Sequence, residues 1–261
     1  MDPYNKERRD FMAFQTVFKR YELKYLLTSE QKQAILEAMA PYMALDEYGR
    51  TTIRNVYFDT ENYRLIRRSI EKPAYKEKLR IRSYAQASAD STVFVELKKK
   101  YDDVVYKRRL TLCERDAMAW VLGEKSCPAD TQISREIDYF IGFYGKLIPS
   151  VFLTYEREAY FEKSGGDFRV TFDDTILARQ TEIDLCAPVY GAPILPEGTV
   201  LMELKCAGAM PLWMARTLSK ERIRKTSFSK YGTAYEKLIF PEIHSPNAVK
   251  NKEMICNGCI F

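Results

Sequence analysis

Three segments of this chain carry the same tripeptide, Glu-Leu-Lys: Glu22 with Lys24, Glu96 with Lys98, and Glu203 with Lys205. In an extended strand successive side chains take opposite faces, so each glutamate shares a face with its lysine while the leucine takes the other. The same alternation sets Arg20 beside Glu22 and Lys24, and Lys78 beside Arg80 and Arg82. It groups Lys107 with Arg109, and Arg169 with Thr171 and Asp173. One exposed strand of this kind needs only cross-strand Lys–Glu pairs, worth about 0.2–1 kcal/mol each. Six such faces on one side of a sheet must line something shared. Guanidinium and ammonium groups at close quarters repel unless an anion sits among them. Arginine offers forked donors to phosphate oxygens and lysine a point charge. The interleaved glutamates serve no anion directly, but they can hold a divalent cation that bridges phosphates. The pattern is that of a metal–triphosphate site.

The positioning elements are mostly strands. β-Branched and aromatic residues at period two predict strands over 17–26, 52–58, 78–84, 92–99, 104–112, 151–159, 168–173 and 199–205. Thr28 with Gln31 has the form of a capping box that opens a helix with Ala34, Ile35, Ala38 and Met39 on one face, ending near Pro41. Further helices are expected over 115–122, 133–146, 212–223 (with Pro211 at its start) and 231–239. The fold class expected is α+β: an eight-stranded antiparallel barrel, wide enough at about eight strands for one small ligand, with a charged lumen and helices packed outside. The expected organisation is an N-terminal extension over 1–13, one domain over 14–240 and a loose tail over 241–261.

Composition narrows the chemistry. The 261 residues are 46% hydrophobic and 30% charged, with 11 glycines and 11 prolines, which excludes disordered and collagen-like chains. No run of roughly 18 apolar residues is present, and the charged first ten residues lead into no apolar stretch, so neither a membrane segment nor a secretory signal is expected and the expected compartment is the cytoplasm. One histidine, His244, lies in the Pro-flanked tail, which leaves no His-based triad, zinc site or general base in the main body. Of six cysteines only Cys256 and Cys259 are closely spaced, and no second ligand pair accompanies them. A net charge of +5 is too small to imply nucleic acid, and a basic tunnel excludes a duplex. Tyr21, Tyr25, Tyr57, Phe58, Tyr84 and Tyr155 read as wall packing rather than as a base-stacking platform, and Trp120 and Trp213 as helix-to-barrel packing.

Taken together, the residues resemble the triphosphate tunnel metalloenzymes (the CYTH-like superfamily) and, within it, the VTC domain, the polyphosphate polymerase module. The carriers are Arg20-Tyr-Glu-Leu-Lys-Tyr25, Tyr57-Phe-Asp-Thr60, Lys78-Leu-Arg-Ile-Arg-Ser-Tyr84, Phe94-Val-Glu-Leu-Lys98, Val105-Tyr-Lys-Arg-Arg109, Tyr155-Glu-Arg157, Arg169-Val-Thr-Phe-Asp-Asp174, Met202-Glu-Leu-Lys205 and Ser229-Lys-Tyr231. The resemblance implies a tunnel open at both ends, in which ATP donates a phosphoryl group to a growing polyphosphate chain with Mn²⁺ or Mg²⁺. It implies phosphate-gripping roles for Lys24, Arg80, Arg82, Lys98, Lys107, Arg157, Arg169 and Lys230, with Lys205 beside them. It also implies a metal carboxylate at Glu203, with Glu96 and Glu22 in support. The wider superfamily begins its first strand Glu-x-Glu-x-Lys, whereas Arg20 stands at the first position here. That disfavours the adenylate cyclase and thiamine triphosphatase branches. An inorganic or nucleoside triphosphatase in the same tunnel, and a non-catalytic sensor of polyphosphate or inositol polyphosphate, are the alternatives. A membrane partner is possible on the resemblance.

Overall fold

The computed structural model describes residues 21–102 and 104–244. Arg20, the start of the 17–26 strand, the N-terminal extension and the Cys256–Cys259 pair lie outside them. The chain runs β1 (Tyr21–Leu27), α1 (Ser29–Met39), β2 (Met43–Asp59), α2 (Arg64–Ile70), β3 (Tyr75–Ser83), β4 (Thr92–Tyr101), β5 (Val104–Cys113), α3 (Glu114–Val121) and α4 (Gln132–Tyr144). It continues through β6 (Ile148–Glu162), β7 (Arg169–Arg179), β8 (Ala192–Pro193), β9 (Val200–Cys206), α5 (Leu212–Lys220), β10 (Lys225–Thr226) and α6 (Lys230–Ala234). A π-helical turn (Tyr235–Ile239) and α7 (Phe240–Ile243) follow. All eight expected strands are present, joined by the two-residue β8 and β10.

The strands form one ten-stranded sheet in the order β10-β1-β9-β7-β6-β2-β3-β4-β5, with β8 on β7. Every pairing is antiparallel. The expected eight-stranded closed barrel is therefore corrected: among the described residues no ladder joins β10 or β1 to β5, and the sheet is open. It is nonetheless strongly curled. β1 and β4 stand six places apart in the order, roughly 29 Å on a flat sheet at about 4.8 Å per strand. Yet Lys98 Nζ of β4 lies 2.9 Å from Glu22 Oε2 of β1. Among the described residues the Lys98–Glu22 ion pair, not a backbone ladder, spans the open seam.

The two faces of the sheet bury different things. On the outer face, Val56, Phe58, Leu79, Ile81, Val95 and Leu97 pack under Trp120 of α3 and Ile137 and Phe140 of α4. Tyr25, Leu27, Val170, Met202 and Leu204 pack under Ile35 and Met39 of α1 and Met214 and Leu218 of α5. Trp120 is 2% exposed and Trp213 stacks on Tyr42 at 4.9 Å, so both serve outer packing. The third core lies on the inner face. Ile53, Tyr57, Val151, Leu153, Tyr155 and Leu201 meet Tyr231, Ala234, Tyr235 and Ile239 there. The expectation that every helix packs outside is thus corrected: α6 and the π-helical turn fill one part of the concavity, leaving the charged part beside it.

Local chemistry accounts for the boundaries. Thr28 accepts from Gln31 N while the Gln31 side chain accepts from Thr28 N, the reciprocal cap that the sequence predicts. β2 starts nine residues before the predicted strand because a bulge-type register shift between Leu45 and Arg50, where Gly49 has φ +59°, lets the strand continue through the irregular stretch. α2 was not predicted, and its N-cap Tyr63 sits in the left-handed region with no side-chain cap. Its first amides are instead answered from upstream: Asp59 Oδ1 accepts from Leu65 N and Oδ2 from Ile66 N, at 2.8 and 2.9 Å. Asp59 Oδ2 also accepts from Tyr231 Oη at 2.9 Å, tying α2 to α6. Because each bond comes from a donor, Asp59→Asn turns one acceptor into a competing donor. The expected cost is about 1–3 kcal/mol, read as a lower urea midpoint.

Candidate active site on the inner face

Register builds the site in rows. On one side Arg80 of β3, Glu96 of β4 and Arg109 of β5 are directly opposite one another, and the adjacent row is Lys78, Lys98 and Lys107. Like charges directly opposite destabilise a sheet, so three lysines in line need counter-charge from neighbouring rows. Glu96, 1% exposed, supplies most of it. Its Oε2 accepts from Arg80 Nε and Nη2 at 2.9 and 2.7 Å, and its Oε1 from Arg109 Nε at 2.7 Å. Lys107 Nζ lies 2.6 Å from Oε1, and Arg82 Nη1 lies 4.0 Å from Oε2. Burial alone would raise the Glu96 carboxyl, but Arg80, Arg82 and Lys107 hold it far below the usual carboxylate range. Both oxygens of Glu96 are committed to cations, so the structure places it as their counter-ion rather than as an available metal ligand.

A second cluster comes from β1, β6, β7, β9 and α6. Asp173 is fully buried, and Arg157 grips it through Nε and Nη2 at 2.5 and 2.6 Å while Lys230 Nζ donates at 2.5 Å. Glu203 is held more loosely. Its Oε1 is 3.3 Å from both Lys24 and Lys230, and its Oε2 is 3.6 Å from Arg157 Nη2. Burial opposes its ionisation, yet Lys230, Lys24 and Arg157 keep its carboxyl well below the ordinary value. Glu22 shows the same balance: burial and the nearby negative charge of Glu203 raise it, but Lys98, Lys24 and Lys205 together bring the carboxyl down to about 2. Lys205, opposite Glu22 in register, has its ammonium pushed down by burial against the pull of Glu203.

Two tyrosines brace the arginines. Arg80 Nη1 donates to Tyr57 Oη at 2.9 Å, and Tyr57 stacks on Tyr231. Arg82 donates from Nη2 to Tyr155 Oη at 3.0 Å and from Nε to Asn55 Oδ1 at 3.0 Å. Lys230 and Arg157 lie over the Tyr155 ring at 4.5 and 5.1 Å. The wall-packing reading of these tyrosines thus understates them, since their hydroxyls and faces orient the cations as well.

The structure therefore brings Lys24, Glu22, Glu203, Lys205, Arg157 and Lys230 into one cluster and Arg80, Arg82, Lys107 and Glu96 into another, with Lys98 linking them through Glu22. Arg169 shares the inward parity and pairs in register with Lys205, but it is exposed at the rim and has no ion pair among the described residues. Asp173, Lys78 and Arg109 belong to the site and were not singled out as candidates, although the strand alternation already placed each on a charged face.

The donor set can be tested for a divalent cation. Hard cations such as Mn²⁺ and Mg²⁺ take carboxylate oxygens together with phosphate oxygens and water. Glu203 makes only long contacts to its cations, and Glu22 lies close enough to feel its charge. Thr171 Oγ1, opposite Glu203 in register, is buried without a hydrogen-bond partner. Two carboxylates plus a spare hydroxyl fit such an ion shared with a phosphate. Among the described residues, the one group of three potential ligands within mutual reach is Glu114, Asp184 and Cys186, which belongs to α3 and the β7–β8 loop and not to this site.

The VTC domain matches residues 19–239. The chain belongs to the VTC domain family. No curated protein matches this VTC domain. Among solved structures, a candidate adenylate cyclase from Bacillus halodurans is similar at 16% identity and TM-score 0.49, covering 81% of this chain and 95% of that one. A candidate adenylate cyclase from Vibrio parahaemolyticus is similar at 11% identity and TM-score 0.43, with 84% and 98% covered. A Pyrococcus horikoshii protein is similar at 12% identity and TM-score 0.42, with 84% and 99% covered. Among the described residues of this VTC domain no helix is long and apolar enough to cross a membrane.

Proposed function

We propose that this VTC domain is a metal-dependent polyphosphate polymerase that transfers the γ-phosphate of ATP to a polyphosphate chain along the inner face of its sheet. The observation that carries the reading is the pairing of an array of inward cations with two kinds of carboxylate: Glu96 and Asp173, each gripped by several short contacts, and Glu203, held only at 3.3 Å or more, with Glu22 beside it bonded to Lys98 at 2.9 Å. Arg80, Arg82, Lys98, Lys107, Arg157 and Lys230 grip the phosphates of ATP and chain. Lys24 and Lys205 lie beside the metal carboxylates, and Arg169 meets the chain at the rim. Bound at Glu203 and Glu22, Mn²⁺ or Mg²⁺ would neutralise charge on the transferring phosphate.

The chain's own residues can do the rest. Phosphoryl transfer passes through a loose transition state, and positioned charge lowers its energy without covalent chemistry. A terminal phosphate acceptor is already deprotonated, so no general base is required, consistent with a site built without histidine. Glu96 and Asp173 keep the cations close-packed before substrate arrives, which reduces the rearrangement needed on binding.

Calorimetric titration of tripolyphosphate, with and without Mn²⁺, tests this reading. Binding strengthened by Mn²⁺ in wild type, and not in Glu203→Gln, is the expected result. Metal-indifferent binding would replace the polymerase with a simple anion sensor.

A pH dependence follows from Lys78. Burial, reinforced by Lys24, Lys98, Lys76 and Arg80, pushes its ammonium down to about 7. Below that pH the side chain is charged, above it neutral, and a bound polyanion restores the proton. Tripolyphosphate affinity contributed by this residue therefore falls as pH rises, by about tenfold between pH 6 and 8. Lys78→Arg, whose guanidinium stays charged throughout, is expected to remove that component from the profile.

A further inference from the structure

Away from the inner face, one buried carboxylate has nothing to answer its charge. Glu114, the first residue of α3, is 8% exposed. Among the described residues its carboxylate accepts no hydrogen bond and makes no ion pair, and the charge that bears on it is a second carboxylate, Asp184. Cys186 completes the group: one ligand atom from each of the three side chains lies within 4.8 Å of the other two. Backbone contacts build this juxtaposition from two sides. In the β7–β8 loop, Leu185 O accepts from Ala87 N at 3.1 Å and Cys186 O from Gln86 Nε2 at 2.7 Å. At the start of α3, Glu114 N donates to Ser91 O at 2.9 Å. Arg179 feels the charge of Asp184, but its guanidinium is committed to the carbonyls of Thr181, Glu182 and Tyr190.

A carboxylate withdrawn from water without a donor or a cation beside it is costly, and a second carboxylate and a thiol at hand make the cost larger unless a cation joins all three. We propose that Glu114, Asp184 and Cys186 bind a divalent ion of the Zn²⁺ class, which ties the β7–β8 loop to the start of α3. Sulfur sets the choice of ion: Mg²⁺ and Mn²⁺ favour shells of oxygen, whereas Zn²⁺ takes thiolate together with carboxylate. Bonds of about 2.0–2.2 Å to oxygen and about 2.3 Å to sulfur give a tetrahedron with edges of roughly 3.3–3.8 Å. Asp184 is exposed and Cys186 only partly buried, so their side chains can draw in to that spacing around the fixed Glu114, with water in the fourth position. As the sulfur bonds the ion, the thiol gives its proton to solvent. This site is separate from the inner face and does not depend on the phosphate reading.

The test uses the full chain, stripped of metal with a chelator under reducing conditions and titrated with Co²⁺. A thiolate bound to Co²⁺ gives an intense near-ultraviolet charge-transfer band that carboxylates alone do not. In wild type the band is expected to saturate at one Co²⁺ per chain, to be abolished by Zn²⁺ and to withstand excess Mg²⁺. Cys186→Ser is expected to lose it. Glu114→Gln is expected to weaken Co²⁺ binding at least about tenfold. Its metal-free melting temperature should stand at or above that of wild type, because the amide removes the unanswered charge, so the loss of binding is not a loss of fold. No band in wild type would overturn the proposal, as would a band undiminished in Cys186→Ser, which would assign the ion to another thiol.

Discussion

Glu96→Gln is expected to destabilise the fold by about 3–5 kcal/mol while strengthening its hold on polyanions. The carboxylate is buried and takes short contacts from Arg80, Arg109 and Lys107, with Arg82 at 4.0 Å. The amide keeps the shape but removes the negative charge and turns one acceptor into a donor facing cations. In the free protein the row of Arg80 and Arg109, beside Lys78, Lys98 and Lys107, is left to repel itself. Saturating tripolyphosphate supplies the missing charge, so the gap in melting temperature between variant and wild type is expected to narrow when ligand is present. A Glu96 that held the metal would behave differently, losing Mn²⁺-dependent binding with little change in the melting temperature of the free protein.

Glu203→Gln is expected to lower ATP turnover by roughly a hundredfold to a thousandfold, the loss typical of removing a charge-stabilising group from a reacting centre. The variant should still fold, because Asp173 continues to neutralise Arg157 and Lys230 through contacts of 2.5–2.6 Å. Glu203→Ala is the poorer probe: it leaves a void as well as uncompensated cations in a buried place, and so mixes stability with chemistry. Turnover by Glu203→Gln within a few-fold of wild type would remove this residue from the metal site.

Much of this arrangement was legible in the strands. Period-two alternation put Glu22 with Lys24, Lys78 with Arg80 and Arg82, and Glu203 with Lys205, and the structure keeps each set on one face. Alternation gives parity but not partner. It could not show that Arg80, Glu96 and Arg109 fall in one row, which consumes Glu96 as a counter-ion, nor that Glu203 is held only by longer contacts. Closure was illegible for a related reason: a curled open sheet and a closed barrel present the same inward charges, and only the ladders distinguish them. The inner placement of α6 was hidden because Tyr231, Ala234 and Tyr235 have the spacing of any helix packing on a sheet, whichever face receives it. α2 escaped notice because its cap, Asp59, lies outside the usual capping position and acts across a turn that begins with Thr60.

The central claim is that ATP's γ-phosphate joins a growing chain. Its most direct test is to incubate the purified protein with ATP and Mn²⁺, resolve polyphosphate on a gel, and assay ADP and free phosphate in the same tube. The account predicts a ladder of chains with ADP formed in step and little free phosphate. Free phosphate and ADP without chains would contradict it and make water the acceptor in the same site.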